Sequence, residues 1–116
     1  MPGARVGETA VPTREEPTVT ITALLDLTLR QESLPEALVV LHETLAVTRA
    51  FPGCLEVEVL VDSRDPAHVL VRERWDSPES DAAYRAWRAT PDGASRLGDI
   101  IAGPPALRTF TTADVV

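Results

Sequence analysis

The side chains able to do chemistry gather in the second half of this 116-residue chain, where Glu73 and Trp75 stand two apart and Tyr84, Trp87 and Arg88 follow shortly after. Glu73 shares a two-residue alternation with Val69, Val71 and Trp75, so it points where apolar side chains point. A carboxylate on that side either pairs with an arginine or a backbone amide and holds the fold, or contacts a ligand and accepts its proton. Trp75 is core or pocket wall. Tyr84 and Trp87, three apart on one helix face, either pack in the core or stack on a flat ring. The Tyr84 hydroxyl needs a partner if buried, which makes it the better candidate for polar contact with a substrate. Arg88, four beyond Tyr84, is a solvated helix charge or a contact to the same ligand. His42, at the edge of an earlier apolar stripe, is a satisfied or exposed histidine or a second proton acceptor.

Other chemistries lack their residues. With one cysteine and two histidines, the chain has no disulfide framework and little material for zinc or haem. Cys54 has no basic neighbour in sequence and reads as packing, and His68 is expected exposed at the start of a strand. The chain has neither Lys nor Asn, which excludes a Schiff-base lysine and a catalytic asparagine. Eighteen acidic residues against eleven basic give a net charge of −7, a balance that disfavours nucleic acid and anionic membranes as partners. No apolar run reaches the roughly 18 residues of a membrane span, and the first 17 residues lack a secretory pattern. The expected location is cytoplasmic.

The elements that must position these residues follow from periodicity. Residues 1–17, rich in Pro and Gly without an apolar period, read as a flexible arm, with one domain over 18–116. From Thr18 to Leu29, apolar residues alternate with threonines as in a half-buried strand. Leu34 to Phe51 changes to helical spacing, with Ser33 as cap, Pro35 just inside and Leu34, Leu38, Leu41, Leu45 and Thr48 as the buried stripe; Pro52-Gly53 ends it. Two strands, Cys54–Asp62 and His68–Trp75, are joined by the turn-rich Ser63–Ala67. Pairing Glu58 with Arg72 and Glu56 with Arg74 puts opposite charges together on one face and sets Val57 by Glu73 and Val59 by Val71 on the other. Asp76-Ser77-Pro78 starts a second helix that runs to about Thr90, a short helical piece carries Leu97, Ile100 and Ile101, and residues 106–112 form a last strand. The order β-α-β-β-α-β predicts an α+β, ferredoxin-like fold, an antiparallel sheet with both helices on one face.

Four motifs stand in order along this frame: Phe51-Pro52-Gly53-Cys54, Glu73-x-Trp75-x-Ser77, Arg88-Ala89-Thr90-Pro91 and Gly103-Pro104-Pro105. In these the chain resembles the antibiotic biosynthesis monooxygenase (ABM) domain family, small dimeric α+β barrels. The resemblance implies a homodimer built from two bare sheet faces, with the Glu56/Glu58 and Arg72/Arg74 ladder at the interface, and a pocket between sheet and helices in each subunit. Relatives include cofactor-independent oxygenases of aromatic polyketides and quinols, and haem degraders. The haem branch uses an asparagine and a helix histidine; this chain has no Asn and has Trp87 at that place, so haem cleavage is not expected. The implied activity is a cofactor-free monooxygenase of secondary metabolism with molecular oxygen as co-substrate, acting on an aromatic polyketide or quinol-type small molecule. Glu73 or His42 would accept the proton, Tyr84 would orient the substrate, Trp75 and Trp87 would wall it in, and Arg88 would contact it. The alternatives are a non-oxygenase, small-molecule-binding or polyketide cyclase-like dimer of the same fold, and a purely structural interaction domain with a filled interior.

Overall fold

The computed structural model describes residues 19–113; the arm expected at 1–17 lies outside them. The first strand, β1 (Ile21–Thr28), buries Ala23 and Leu27 and is shorter than the alternation suggested, though Leu29 continues it through an isolated bridge to Ile101. Helix α1 (Leu34–Ala50) follows a single 3-10 turn at Gln31–Ser33 and has Pro35 in its first turn, where a missing N–H costs nothing. Ser33 occupies the cap position, but its side chain makes no capping bond. Ala37, Val40, Leu41, Leu45 and Thr48 are buried, whereas Leu38 is 64 % exposed. The helix settles on the face through Ala37, Leu41, Leu45 and Thr48, and Leu38 lies about 100° away from Ala37 around the axis.

Phe51 leaves the helix in an extended conformation, and Gly53 makes the turn at φ +91°, in the left-handed region that glycine enters without strain. A side chain could not follow it there: a Cβ on Gly53 would lie 2.3 Å from Ser80 Oγ. Strands β2 (Cys54–Asp62) and β3 (Asp65–Trp75) are joined by only two residues, Ser63 and Arg64. The wider expected loop is pulled straight because Asp62 Oδ1 accepts from the Arg64 amide and Asp65 Oδ1 from that of Ala67, both at 2.9 Å. Pro66, with no N–H to give, falls where the pairing slips between Val61↔Val69 and Asp62↔Asp65. Beyond that slip the expected register holds: Glu58↔Arg72, Glu56↔Arg74, Val57↔Glu73 and Val59↔Val71.

Helix α2 (Pro78–Arg88) is capped by Ser77, whose Oγ accepts from the Ser80 amide at 3.1 Å. Two 3-10 turns, Pro91–Gly93 and Arg96–Asp99, follow and deliver the fully buried Ile100; β4 (Ala106–Phe110) closes the chain's path two residues short of the expected end. The sheet is antiparallel throughout, in the order β2-β3-β1-β4, which is the ferredoxin-like arrangement. Odd-numbered strand residues (Leu27, Val69, Val71, Trp75) pack beneath the helices. Even-numbered ones form the opposite face, except Cys54, which the irregularity between Cys54 and Glu56 turns to the helix side. There Arg74 reaches Glu56 at 3.3 Å and Arg72 reaches Glu56 and Glu58 at 3.5 Å.

The same face corrects the expectation for His68. Its ring is gripped between two carboxylates, Nε2 to Asp26 Oδ1 at 2.8 Å and Nδ1 to Asp62 Oδ2 at 2.9 Å. The hydrogen bonds to Asp62 and then Asp26 raise the His68 pKa, and the bond from His68 lowers that of Asp62. A raised histidine contributes stability that is complete below its unfolded value of about 6.5 and lost as pH climbs through the folded value; a lowered aspartate contributes above about 3.9, its unfolded value, and loses it as pH falls through the folded one. His68→Gln is therefore expected to destabilise most between about pH 4 and 6.5, with the gap to wild type narrowing on both sides. Urea midpoints measured across that range check it; a gap independent of pH would mean that the ring acts only by packing.

Candidate functional site

A cavity of about 190 Å³ opens between the sheet and the helices. Its floor is Leu25, Leu27 and Val71 from the strands, its roof Leu41 and Leu45 from α1, and Leu97 closes one side. Polar groups enter this mostly apolar space from several sides: Glu73 from β3, Tyr84, Arg85 and Arg88 from α2, Thr44 from α1 and Ser95 from the segment after α2.

Glu73 is 1 % exposed, and parity alone puts it there: it alternates with Val71 and Trp75, which must face the helices. One of its oxygens is heavily used. Oε1 accepts from Trp75 Nε1 at 3.1 Å and from Arg85 Nη2, and the Arg85 guanidinium is shared with Asp81 at 3.1 Å. Oε2 has no hydrogen-bond partner among the described residues. A carboxylate pinned by one oxygen and open at the other is a fixed acceptor on the wall of a mostly apolar chamber.

Tyr84 is buried and also lines the cavity, but its hydroxyl is already committed. It accepts from Arg88 Nε at 2.8 Å and meets Thr48 Oγ1 at 2.6 Å. Because Thr48 Oγ1 donates to the Thr44 carbonyl at 3.3 Å, the proton between Tyr84 and Thr48 belongs to the tyrosine. Arg88 completes the strut through Nη2 to the Thr44 carbonyl (2.9 Å) and Thr48 Oγ1 (3.1 Å) and through Nη1 to the Gly93 carbonyl (3.1 Å). The strut ties α1, α2 and the turn after α2 together.

Trp75 and Trp87 do not reach the cavity wall. They stand behind Tyr84 with Phe51: Trp75 lies 4.8 Å from the Tyr84 ring centroid and Phe51 lies 5.3 Å from Tyr84 and 5.5 Å from Trp87. Their place in the fold is a second small core that backs the site, and Trp75 holds Glu73 by its indole N–H. His42 sits on the exposed side of α1, away from the lining, because the helix buries Leu41 and Leu45 instead. Cys54 packs against that aromatic core, where burial above all pushes its thiol above the ordinary value and keeps it protonated. Neither Arg85 nor Thr44 stands out in the sequence; a carboxylate on an apolar strand face requires a cation nearby, and Arg85, four residues after Asp81, is the one that α2 presents to Glu73.

Residues 20–93 match the family described as antibiotic biosynthesis monooxygenase. The chain belongs to this family. Membership points to a small-molecule monooxygenase or binding function. A Nitrosomonas europaea protein assigned to the same family superimposes with a TM-score of 0.70 at 13 % identity, over 84 % of this chain and 93 % of that one. Another, from Caulobacter crescentus, gives 0.69 at 19 % identity, over 84 % and 93 %. A Methanosarcina mazei protein gives 0.68 at 14 %, over 81 % and 93 %. At such identities these structures share the fold. No curated protein matches the chain. Among the described residues no helix of this ABM protein is long and apolar enough to cross a membrane, and no three His, Cys, Asp or Glu side chains cluster to hold a metal.

Proposed function

We propose that this ABM protein is a cofactor-independent monooxygenase of a small phenol or quinol, working as a homodimer joined through the helix-free sheet face. The observation that carries the reading is the open Oε2 of buried Glu73 inside an apolar cavity. A cavity of about 150 Å³ in another protein takes up benzene, so 190 Å³ suits one substituted ring or a fused pair and disfavours the larger ring systems of aromatic polyketides. Glu73 Oε2 accepts the ring hydroxyl's proton. The resulting ring anion is electron-rich enough to pass an electron to molecular oxygen, and the radical pair combines to form a C–O bond at a ring carbon bearing hydrogen. The proton held by Glu73 returns to the peroxide; loss of water across that C–H and the O–O bond then leaves a quinone. One oxygen atom ends in the product and the other in water, with the ring as the only reductant. The protein's contributions are a dry pocket, a placed base and a fixed ring plane. His42, exposed on the far side of α1, has no part in this scheme, and Tyr84 acts by shaping the wall with its ring while its hydroxyl braces Arg88.

Oxygen uptake with monocyclic and bicyclic hydroquinones, followed by labelling with ¹⁸O₂, tests the proposal. The expected result is protein-dependent uptake with one labelled oxygen per quinone. Tight binding without uptake would replace it with a binding or cyclase-like role, and neither binding nor uptake would remove the reaction chamber.

A further inference from the structure

The cavity has a second open valence, and it is of the opposite kind. Among the described residues its lining carries two arginines against one carboxylate, in a chain whose acidic residues outnumber its basic ones by 18 to 11. Arg85 is spoken for by Glu73 and Asp81. Arg88 has no carboxylate within 4.0 Å among the described residues; all four of its bonds go to uncharged acceptors, the Tyr84 hydroxyl, Thr48 Oγ1 and the carbonyls of Thr44 and Gly93. A guanidinium has five N–H donors, so one hydrogen on Nη1 is left over. Those four bonds also fix the group between α1, α2 and the turn at Gly93. A partly buried cation held without a counter-charge favours an anion at that point. Arg88 also lines a shallower depression on the outside, together with Thr44, Ser95 and Arg96, where Arg96 is paired to Glu43 at 3.6 Å. It therefore stands at the entrance, with Glu73 farther in.

We propose that the ligand is a hydroxyarene carrying an oxyanion, most simply a carboxylate, bound with its hydroxyl inward on Glu73 Oε2 and its anionic group at the mouth on Arg88. This rests on the reading of the cavity as the substrate chamber and adds the substrate's second polar group and its orientation. Arg88 is then the residue that separates acidic phenols from neutral ones, because a neutral ring leaves its charge unmatched while a carboxylate meets it.

Matched probes test this by calorimetry on the full chain: 3- and 4-hydroxybenzoate, the corresponding hydroxybenzamides of nearly the same shape, and a plain hydroquinone. The expected result is at least tenfold tighter binding of a hydroxybenzoate than of its amide, narrowing as salt is raised and vanishing in Arg88→Gln. Equal affinity of acid and amide for the wild-type protein overturns the assignment whether or not the variant folds, and so does a preference that survives in a folded Arg88→Gln. Hydroquinone binding with no preference for the acid would sink only the Arg88 subsite. Failure of every probe to bind would sink the chamber with it.

Discussion

Glu73→Gln is expected to lower turnover by about 10²- to 10⁴-fold, the range associated with a placed general base, while leaving the protein folded. The side chains are nearly isosteric. The amide oxygen can still accept from Trp75 Nε1 and Arg85 Nη2, which fixes the amide nitrogen at the place of Oε2. That position then presents a donor to the incoming hydroxyl where the native residue presents an acceptor, and among the described residues no other carboxylate lines the cavity. Stability separates this from a general structural defect. Glu73→Leu strands the indole N–H and one side of the Arg85 guanidinium; breaking a buried pair costs about 3–5 kcal/mol. Arg85 keeps Asp81 and is 26 % exposed, so the lower end, roughly 3 kcal/mol, applies. The Gln variant should lose about 1 kcal/mol. Oxygen uptake and urea unfolding on the two variants check both statements, and a glutamine variant with wild-type turnover would take Glu73 out of the chemistry.

Why Glu73 was visible from the sequence and Arg85 was not comes down to which geometry is local. The β2–β3 register is overdetermined: two acid–base pairs on one face and the valines on the other agree on a single alignment, and a one-residue slip breaks both. The same two-residue period sends Glu73 and Trp75 to the helix side and Arg72 and Arg74 to the other. Helix α1 lacks that redundancy. Ala37, Leu38, Val39, Val40 and Leu41 are all apolar, so spacing gives the helix but not its rotation: it puts Leu38 inside, whereas Leu38 faces out. The loop before β3 shows another limit: Asp65-Pro66 reads as a turn, yet carboxylates at 62 and 65 tie down a two-residue turn and let the strand begin early.

The polar contacts of the site depend on how α1 and α2 sit relative to each other, and no local pattern encodes that. Burial of Tyr84 requires a partner for its hydroxyl; that Thr48 and Arg88 supply it follows only once the helices are packed. Thr48 falls on the apolar stripe by spacing and is buried there, but its hydroxyl is what joins the two helices. Likewise, parity assigned Trp75 to the interior without saying whether it stands between Tyr84 and the cavity or behind it.

Standing behind Tyr84, Trp75 is the position where a single truncation should cost most. It is 0 % exposed and heads the largest fully buried side chains. Trp75→Ala is expected to lose about 3–5 kcal/mol, the usual range for a core aromatic, and to release Tyr84, whose ring it supports at 4.8 Å. Trp87, only partly buried at the edge of the same cluster, should cost about 1–2 kcal/mol on truncation, by the smaller apolar area it takes from water. Because the alanine variant removes so much of the core, the functional test uses Trp75→Phe. It keeps the aromatic bulk but removes the N–H that helps to hold Glu73 Oε1, leaving Arg85 to hold the carboxylate alone. A positioning role predicts a kcat lowered several-fold with KM nearly unchanged, because the cavity wall itself is untouched. Direct contact between Trp75 and the ring would instead raise KM, which would place the indole on the cavity wall. Urea unfolding of the alanine pair and steady-state kinetics of Trp75→Phe distinguish the two: equal losses for Trp75→Ala and Trp87→Ala would contradict a backing core centred on Trp75.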